Sequence, residues 1–382
     1  MDFTNKNINL LTIHSGIWRF ANNIFDVFSA IYLLGLGISF PVVALIMVGS
    51  LILRALMRPL SMMLSEKIGL RKALIFGVLV SSGLFLVLAK VHGQDFWLYF
   101  YMFYLSLHDI TYWLPYHSYY AAAGDEEKRG EQVGPQLGVV TIFRTIAPLA
   151  GGLIITHFGF LPLYLSATVI MLFSAVPLFS AGDVTPGISM GWREALRSID
   201  KRGMVMQIGD GLTYMHEFVW TIVLFYLVGN YVTFGGLVTF ELLSTTILVL
   251  FLGYYIDKGK GRRIAVIGLL LTGIAMLARG LWVHTIPQVI LVDLVIAFAA
   301  TFYSSSFSVG FYNMAKESKN TLWFHFFGEL GWDIGAMISL AISALLFSLG
   351  VPLRFIILFS LPGLLVVYYV LNNFYHKKPI KA

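Results

Sequence analysis

Ionisable side chains recur inside stretches of this sequence that are otherwise apolar. Eight are acids and five are arginines, namely Asp26, Asp109, Asp210, Glu217, Glu241, Asp293, Glu329 and Asp333, with Arg19, Arg54, Arg58, Arg144 and Arg279. Carboxylates can take up and release protons, whereas arginines hold carboxylates or other anions by paired hydrogen bonds. Each such charge costs roughly 2.5–3.5 kcal/mol at the lipid-facing centre of a membrane helix. We therefore expect most of them to face a protein interior, a water-filled cavity or a helix end.

Two polar helical faces stand out. Their members are Arg19, Asn22, Asn23 and Asp26 in one, and Asp210, Tyr214 and Glu217 in the other. Spacings of three, four and seven residues place these side chains on one side of a helix. Asp26 and Glu217 are the first candidates for carboxylates that load and release a proton, and a static ion pair with Arg19 is an equal alternative for Asp26. The predicted proton-coupling or cavity residues are Asp26, Glu217, Arg19, Asp210, Asp109, His108 and Asp293.

A third polar group surrounds Pro115, where we expect a helix kink. It consists of His108, Asp109, Tyr112, Trp113, Tyr116 and His117. Aromatic faces suit an apolar, ring-bearing or cationic small molecule, although aromatic residues also concentrate at membrane interfaces. Arg144 is a candidate partner for Asp109 or for an anionic substrate, with a structural ion pair as the alternative. The predicted substrate-wall residues are Asn23, Tyr112, Trp113, Tyr214, Arg144, Glu329 and Asp333.

The acids near the end of the sequence follow His325 at steps of four residues, so Glu329 and Asp333 share one helical side. We expect them to face Glu241, or the arginines Arg54 and Arg58. For Arg58 the alternative is that the side chain extends to the membrane surface.

The elements that carry these groups are long apolar segments. Hydrophobic residues make up 58% of the chain and charged residues 12%, whereas soluble chains carry about 25% charged residues. Twelve segments are long enough to cross a bilayer as helices: 11–36, 38–63, 70–91, 95–120, 134–157, 161–182, 204–230, 232–256, 263–283, 285–312, 321–349 and 351–373. The first contains Arg19 and Asp26, which favours a retained helix over a cleaved signal. The sequence predicts an all-α integral membrane protein.

The chain repeats itself after half its length. Residues Glu66 and Asp257 are separated by half of the chain, as are Gly77 and Gly268, and we call this separation the repeat offset. Shifting the polar face around Asp26 by the repeat offset gives the polar face around Glu217, so the two faces occupy equivalent positions in the two halves. A fixed period of this kind is typical of duplicated structural units. We predict two pseudo-symmetric six-helix bundles, residues 1–183 and 204–382.

Lysine and arginine lie mainly on one side of the predicted membrane. Nineteen of the 26 fall at the termini and in the loops after even-numbered segments, whereas the opposite side carries only Lys90 and Arg354. By the positive-inside rule, both termini are cytoplasmic. Residues 184–203 alternate apolar and charged side chains at helical spacing, which predicts an amphipathic cytoplasmic linker between the bundles. A plain linker is the alternative.

Charge is also distributed unevenly among the segments. Of the thirteen intramembrane charges, segments 3, 6, 9 and 12 carry only Arg279, whereas the other twelve lie in the remaining eight segments. We therefore expect every third segment to face lipid.

The turn after segment 2 resembles the signature of the major facilitator superfamily, Gly-x-Leu-Ala-Asp-Arg-x-Gly-Arg-Arg-Lys. The stretch 64–72 reads Leu-Ser-Glu-Lys-Ile-Gly-Leu-Arg-Lys and departs in having Ser61, Glu66 and Leu70 where the family has Gly, Asp and Arg. The second-half copy carries one extra residue in its turn. Segment 5 contains Ala147-Pro148-Leu149-Ala150-Gly151-Gly152, which resembles the end of a motif found in exporters.

The resemblance implies twelve helices in two bundles, a cavity lined by helices 1, 4, 7 and 10, and a cytoplasmic gate at the two turns. The implied gate residues are Glu66, Lys67, Gly69, Arg71, Lys72, Asp257, Gly261, Arg262 and Arg263. Acids and bases there would form weak pairs or caps that break and re-form during a cycle. The alternative is a plain positive anchor at the membrane surface.

Together these features predict a secondary active transporter of a small molecule that works by alternating access, coupled to protons and directed towards efflux. Alternatives are a proton-coupled uptake symporter, a lipid-modifying membrane enzyme, or a sensor that transports nothing. The sequence contains no cysteine, no Gly-x-x-x-x-Gly-Lys phosphate loop and no His-Glu-x-x-His motif. We expect no catalytic residues, metal or cofactor, no nucleic-acid partner, a monomer, and a location in the cell or inner membrane.

Overall fold

The computed structural model describes residues 5–123, 129–183, 191–197, 199–256, 261–318 and 321–377. Within these ranges the chain forms helices and turns and no strand. The twelve long helices are α1 (Lys6–Gly35), α2 (Phe40–Ile68), α3 (Leu70–Leu88), α4 (Phe96–Ala123), α5 (Arg129–Phe158), α6 (Phe160–Phe173), α7 (Lys201–Val228), α8 (Tyr231–Ile256), α9 (Gly261–Leu281), α10 (Ile286–Glu317), α11 (Thr321–Ser348) and α12 (Leu361–Lys377). Short helices at Val176–Phe179 and Leu353–Ile356 flank α6 and α12. The predicted all-α membrane fold is confirmed.

Ten helical stretches in the described part of the chain are long and apolar enough to cross a membrane. The two long helices outside this group are α1 and α4. They carry Arg19 and Asp26, and His108 and Asp109, which lower their hydropathy. The two long helices below this hydropathy level are therefore those that bear the polar groups predicted for the first half.

Capping residues fix where helices begin. Asn5 Oδ1 accepts a hydrogen bond of 3.1 Å from the backbone N–H of Ile8 at the start of α1. Asp200 Oδ1 accepts one of 2.9 Å from the N–H of Arg202 at the start of α7. These caps satisfy N–H groups that have no partner within the helix. Partial burial alone raises the pKa of Asp200, but the hydrogen bonds and charge of Arg202 outweigh it and hold that pKa below its ordinary value.

The chain divides into two compact units. The first comprises Met1–Ser39, Gly49–Ser189 and Asn230–Thr239, and the second comprises Phe40–Val48, Met190–Gly229 and Phe240–Ala382. The start of α2 thus belongs to the second unit and the start of α8 to the first. The stretch predicted as a linker contains the helix Trp192–Arg197, and its residues 184–190 and 198 lie outside the described part of the chain.

The helices recur at the repeat offset found in the sequence. Helices α2, α3, α4 and α5 reappear as α8, α9, α10 and α11, and their first residues match that offset to within one position. Gly159 follows α5 with φ 84° and Gly350 follows α11 with φ 86°, so a glycine with positive φ follows the corresponding helix in both halves. The duplication predicted from sequence is present in the secondary structure.

Each unit also packs its helices in the same pairs. In the first unit α1 contacts α5 and α6, and α3 contacts α4 and α6; in the second unit α7 contacts α11 and α12, and α9 contacts α10 and α12. A side chain on Gly77 would overlap the backbone of Thr111, and one on Gly268 would overlap the backbone of Phe302 and Tyr303. Because Thr111 and Phe302 are also related by the repeat offset, the same close helix crossing is present in each unit.

Candidate functional site

Aromatic side chains of α1 and α4 form a stacked cluster inside the first unit. The rings of Trp18 and Tyr112 are parallel to within 4°, with centroids 3.9 Å apart. Trp18 also stacks on His108 at 5.8 Å, and the guanidinium of Arg19 lies 4.8 Å from the centroid of Trp113. The protein's own side chains therefore cover faces of Tyr112 and Trp113, the two aromatic residues predicted for a substrate wall in segment 4.

His14 ties this cluster to the end of the first bundle. Its Nδ1 lies 2.7 Å from the carbonyl oxygen of Ser174, which only accepts hydrogen bonds, so Nδ1 donates. Its Nε2 lies 3.2 Å from the hydroxyl of Tyr112, which therefore donates to it. His14 is fully buried, so a neutral imidazole with both nitrogens satisfied explains this residue, which sequence reasoning missed.

His108 and Asp109 contact each other, with 3.8 Å between Nε2 and Oδ1, and each also has a partner on another helix. His108 Nδ1 lies 2.9 Å from Ser81 Oγ, whose own proton goes to the carbonyl of Gly77 at 2.7 Å. Asp109 Oδ2 forms a 2.9 Å ion pair with Arg54. The structure therefore gives Asp109 a partner on α2, where the sequence had suggested Arg144 of α5.

Asp26 lies on α1 in the same unit and is solvent-accessible. The described side chains show no ion pair between Asp26 and Arg19, because Arg19 turns to Trp113 instead. The alternative of a static Arg19–Asp26 pair is therefore absent from the described contacts.

In the second unit, Arg279 is the centre of a buried charge cluster. Its guanidinium donates to Asp293 Oδ1 at 2.7 Å, to Glu241 Oε2 at 2.9 Å, and to His216 Nε2 at 3.0 Å. It also lies 4.4 Å from the ring centroid of Trp220. The side chains of Arg279 and Asp293 are 2% and 0% exposed, and that of Glu241 is 25% exposed. We call Arg279, Asp293, Glu241 and His216 the arginine cluster.

The arginine cluster places the intramembrane charge of α9 in the interior of the second unit. Arg279 points inward, while Leu270, Ile274 and Leu281 on the same helix are 55–62% exposed. An arginine alone in an apolar segment is costly unless it is paired, and that cost was the signal in the sequence. Glu241, predicted as a neighbour of Glu329 and Asp333, pairs with Arg279 instead.

A cavity of about 170 Å³ opens beside this cluster. Its lining from α7 is Asp210, Thr213, Tyr214, His216 and Glu217. The predicted face of Asp210, Tyr214 and Glu217 is thus brought together on one cavity wall. The other walls include Tyr303 of α10 and Trp332 of α11. His216 belongs to both the cavity and the arginine cluster.

Tyr303 and Trp332 hold Asp210 in place. The Tyr303 hydroxyl donates to Asp210 Oδ1 at 2.5 Å, and the Trp332 indole donates to the same carboxylate. Tyr303 follows Tyr112 by the repeat offset, and each reaches from the fourth helix of its unit to the first. That relationship could have identified Tyr303 from the sequence, whereas nothing in the spacing distinguishes Trp332 among the aromatic residues.

Intramembrane charge differs in sign between the two units. The first unit holds four of the five arginines inside the predicted segments and only two of the eight acids, Asp26 and Asp109. The second unit holds Arg279 and the other six acids. The interior of the second unit is therefore acidic.

The implied gate turn lies between α2 and α3. Gly69 has φ 86°, and Arg71 donates to the carbonyl of Ala181 at 2.9 Å. In the second unit Arg262 donates to the side chain of Asn372 at 2.9 Å, and both members of this pair follow those of the first by the repeat offset. The arginine therefore anchors each turn to the end of its own unit.

The other members of the implied gate make fewer contacts. Glu66, Lys67, Lys72 and Arg263 are exposed. The described side chains show no ion pair between Glu66 and the bases of its turn. Gly261 begins α9, and Asp257 lies outside the described residues.

The remaining predicted residues are less informative. Asn23 donates to the carbonyl of Arg19 one turn earlier at 2.8 Å, Arg144 is exposed on α5, and Asp333 is fully buried on α11. Glu329 is half-buried on α11.

Comparison with solved structures supports the fold. The chain is similar to a crystal structure of a point mutant of the nucleoside transporter NupG, with a TM-score of 0.71 over 96% of this chain and 99% of that one, at 13% sequence identity. No curated protein matches the sequence.

The family model described as Major Facilitator Superfamily matches residues 15–241, more than half of the chain. The match covers both polar helices of the first unit, the first gate turn and the cavity wall of α7. The chain belongs to the Major Facilitator Superfamily, a family of multi-pass membrane transporters.

Proposed function

We propose that this protein is a proton-coupled secondary transporter of a small molecule that works by alternating access in the cell or inner membrane, with both termini cytoplasmic. The arginine cluster carries the proposal. One arginine and two carboxylates, largely withdrawn from solvent, bear one net negative charge when both acids are ionised. A proton neutralises that charge, so the cluster is suited to bind and release one proton per cycle.

Unsatisfied atoms in the cluster support this assignment. Asp293 Oδ2 is buried and has no hydrogen-bond partner among the described residues, and the same is true of Arg279 Nε. Buried carboxylate oxygens are nearly always paired. A proton on the carboxyl group of Asp293 would change which groups it can bind, and therefore how α10 contacts α9 and α8.

Neighbouring groups define what would titrate with Asp293. Arg279 of α9 donates hydrogen bonds to Asp293, to Glu241 of α8 and to His216 of α7. His216 also lines the cavity, so a solute there lies one side chain away from the proposed proton site. This adjacency supports coupling of solute binding to proton binding.

Export is the proposed direction, because Gly151 and Gly152 match the exporter-like motif. In the first unit a side chain on Gly151 would overlap the backbone of α1 at Ile24, and one on Gly152 would overlap Tyr231. The motif therefore supports close packing of α5. Proton-coupled uptake is the second candidate, and the family match points away from a lipid-modifying enzyme.

The test is solute accumulation in proteoliposomes. Purified protein would be reconstituted, given a yeast-extract metabolite mixture, and the vesicle contents measured by mass spectrometry with and without a pH gradient. We expect at least one solute to accumulate only with a gradient, in the direction set by its sign, and Asp293→Asn to abolish accumulation while exchange of that solute continues. Accumulation that ignores the gradient, or equal accumulation in Asp293→Asn, would contradict the proposal.

A further inference from the structure

The cavity beside α7 has a lining whose chemistry selects one class of ligand. Among the described residues that line it, two are carboxylates, Asp210 and Glu217, and none is lysine or arginine. The lining histidine, His216, accepts a hydrogen bond from Arg279, so that nitrogen is unprotonated. With both acids ionised, the walls carry two negative charges.

Aromatic rings lie between and beside these carboxylates. Tyr214 follows Asp210 by four residues and precedes Glu217 by three, so its ring lies on the same helical face. Its centroid is 5.3 Å from that of Trp332, at an interplanar angle of 62°. Carboxylates together with aromatic faces favour an organic cation, which gains both charge pairing and cation–π attraction.

In the described part of the first unit, an indole occupies the equivalent position. Trp18 covers Tyr112 there at 3.9 Å, and the residue at the repeat offset from Trp18 is Gly209, which has no side chain. Tyr303, the counterpart of Tyr112, lines the cavity instead. In the second unit a Cβ at Gly209 would lie 3.0 Å from Gly363 O and from Val366 of α12, so α12 packs at this position and no indole covers Tyr303 from it.

The size of the cavity limits the ligand. Its volume is about 170 Å³, and an apolar cavity of about 150 Å³ in a protein core holds benzene. A single ring or a short alkyl chain with one ammonium group fits this space, whereas a nucleoside-sized or larger solute would need the cavity to expand.

We propose that the cavity between α7, α10 and α11 binds a small organic cation, with Asp210 and Glu217 holding an ammonium group and Tyr214 and Trp332 contacting its apolar part. This inference rests on the proposed transport function, for which it names the substrate class. Substrate and proton would then act on neighbouring acids: the cation on the cavity wall, and the proton across His216 in the arginine cluster.

The experiment measures binding without transport. Benzylammonium, benzyl alcohol and benzoate are close in size and differ in charge, so dissociation constants for the three on purified protein in detergent isolate the charge. We expect benzylammonium to bind and to raise the Tm, and the neutral and anionic analogues to bind at least about tenfold more weakly. No binding of benzylammonium, or equal binding of all three, would overturn the inference.

Matched variants locate the site. Asp210→Asn and Glu217→Gln should each weaken benzylammonium binding about tenfold or more, while Asp210→Glu and Glu217→Asp, which keep the charge, should bind within a few-fold of wild type. Glu194→Gln removes an exposed acid on the short helix Trp192–Arg197 and should change nothing. Binding insensitive to both cavity variants would contradict the assignment.

The two proposals fail in different ways. Gradient-driven accumulation of another solute, with no benzylammonium binding, would remove the cation site and leave proton-coupled transport standing. Benzylammonium binding at Asp210 and Glu217, without any gradient-driven accumulation, would leave the cation site and remove the transport mechanism.

Discussion

Arg279 Nη2 lies 2.7 Å from Asp293 Oδ1 in the interior of the second unit, and both side chains are almost completely buried. Of the thirteen intramembrane charges, Arg279 is the one carried by segments 3, 6, 9 and 12. It draws together acids from two other helices, so α8, α9 and α10 are connected through one guanidinium.

Charge counting in this cluster predicts unequal effects of two substitutions. Asp293→Asn leaves Arg279 paired with Glu241 and no net charge, whereas Arg279→Gln leaves the buried carboxylate of Asp293 and the half-buried carboxylate of Glu241 without a counterion. Removing one partner of a buried pair typically costs about 3–5 kcal/mol, and we expect Arg279→Gln to approach that cost and Asp293→Asn to fall well below it.

Thermal unfolding in detergent at pH 7.5 measures this difference. Thr272→Val, on the same helix but outside the cluster, controls for substitution within α9. Equal losses of stability for Asp293→Asn and Arg279→Gln would show that the charge balance of the cluster does not matter.

A substitution in the turn after α2 should change the rate of solute transport. Gly69 has φ 86°, and a Cβ there would lie 3.0 Å from Asp183 Oδ1. A side chain at this positive φ with ψ 155° costs about 1–3 kcal/mol, so Gly69→Leu should distort the turn that Arg71 anchors. We expect several-fold slower solute accumulation in proteoliposomes, with solute binding retained.

Gly93→Leu is the matched control, because a Cβ at Gly93 meets nothing within 4 Å. If both variants transport at the wild-type rate, the turn is an orientation signal rather than a gate.

Asp200 predicts a pH-dependent contribution to stability. Its ordinary pKa is 3.8, and the folded protein holds it lower. Its stabilising effect is therefore fully present above about pH 5 and is lost as the pH falls below 3.8 through the folded pKa. Loss of an N-cap costs about 1 kcal/mol, so Asp200→Ala should lower the Tm at pH 7 and differ less from wild type at pH 3.

Asp200→Asn keeps a capping side chain without the charge and should lose less than Asp200→Ala at pH 7. A constant gap between wild type and Asp200→Ala across this pH range would contradict the assigned pKa direction.

Much of the fold follows from sequence periodicity. The twelve segments correspond to the long helices, and the repeat offset recurs in helix starts, in the Gly77 and Gly268 crossings, and in the anchoring of Arg71 and Arg262. These features are local or repeated, so composition and spacing reveal them.

The site was predicted less completely, because pairing depends on which helices meet. The face of Asp210, Tyr214 and Glu217 was correctly grouped, since all three lie on one helix. The partners of Asp109 and Glu241 were not predicted correctly, because Arg54 and Arg279 come from other helices. Spacing along one helix carries no information about which arginine of several lies across from an acid.

The most direct test of the central claim is an infrared pH titration of the carboxyl groups in the purified protein. If the arginine cluster holds the coupling proton, wild type should show a protonated-carboxyl band that changes with pH, and Asp293→Asn should lose it while Glu194→Gln keeps it. A band that is unchanged in Asp293→Asn and in Glu241→Gln would contradict the account, because the titrating carboxyl would then lie elsewhere.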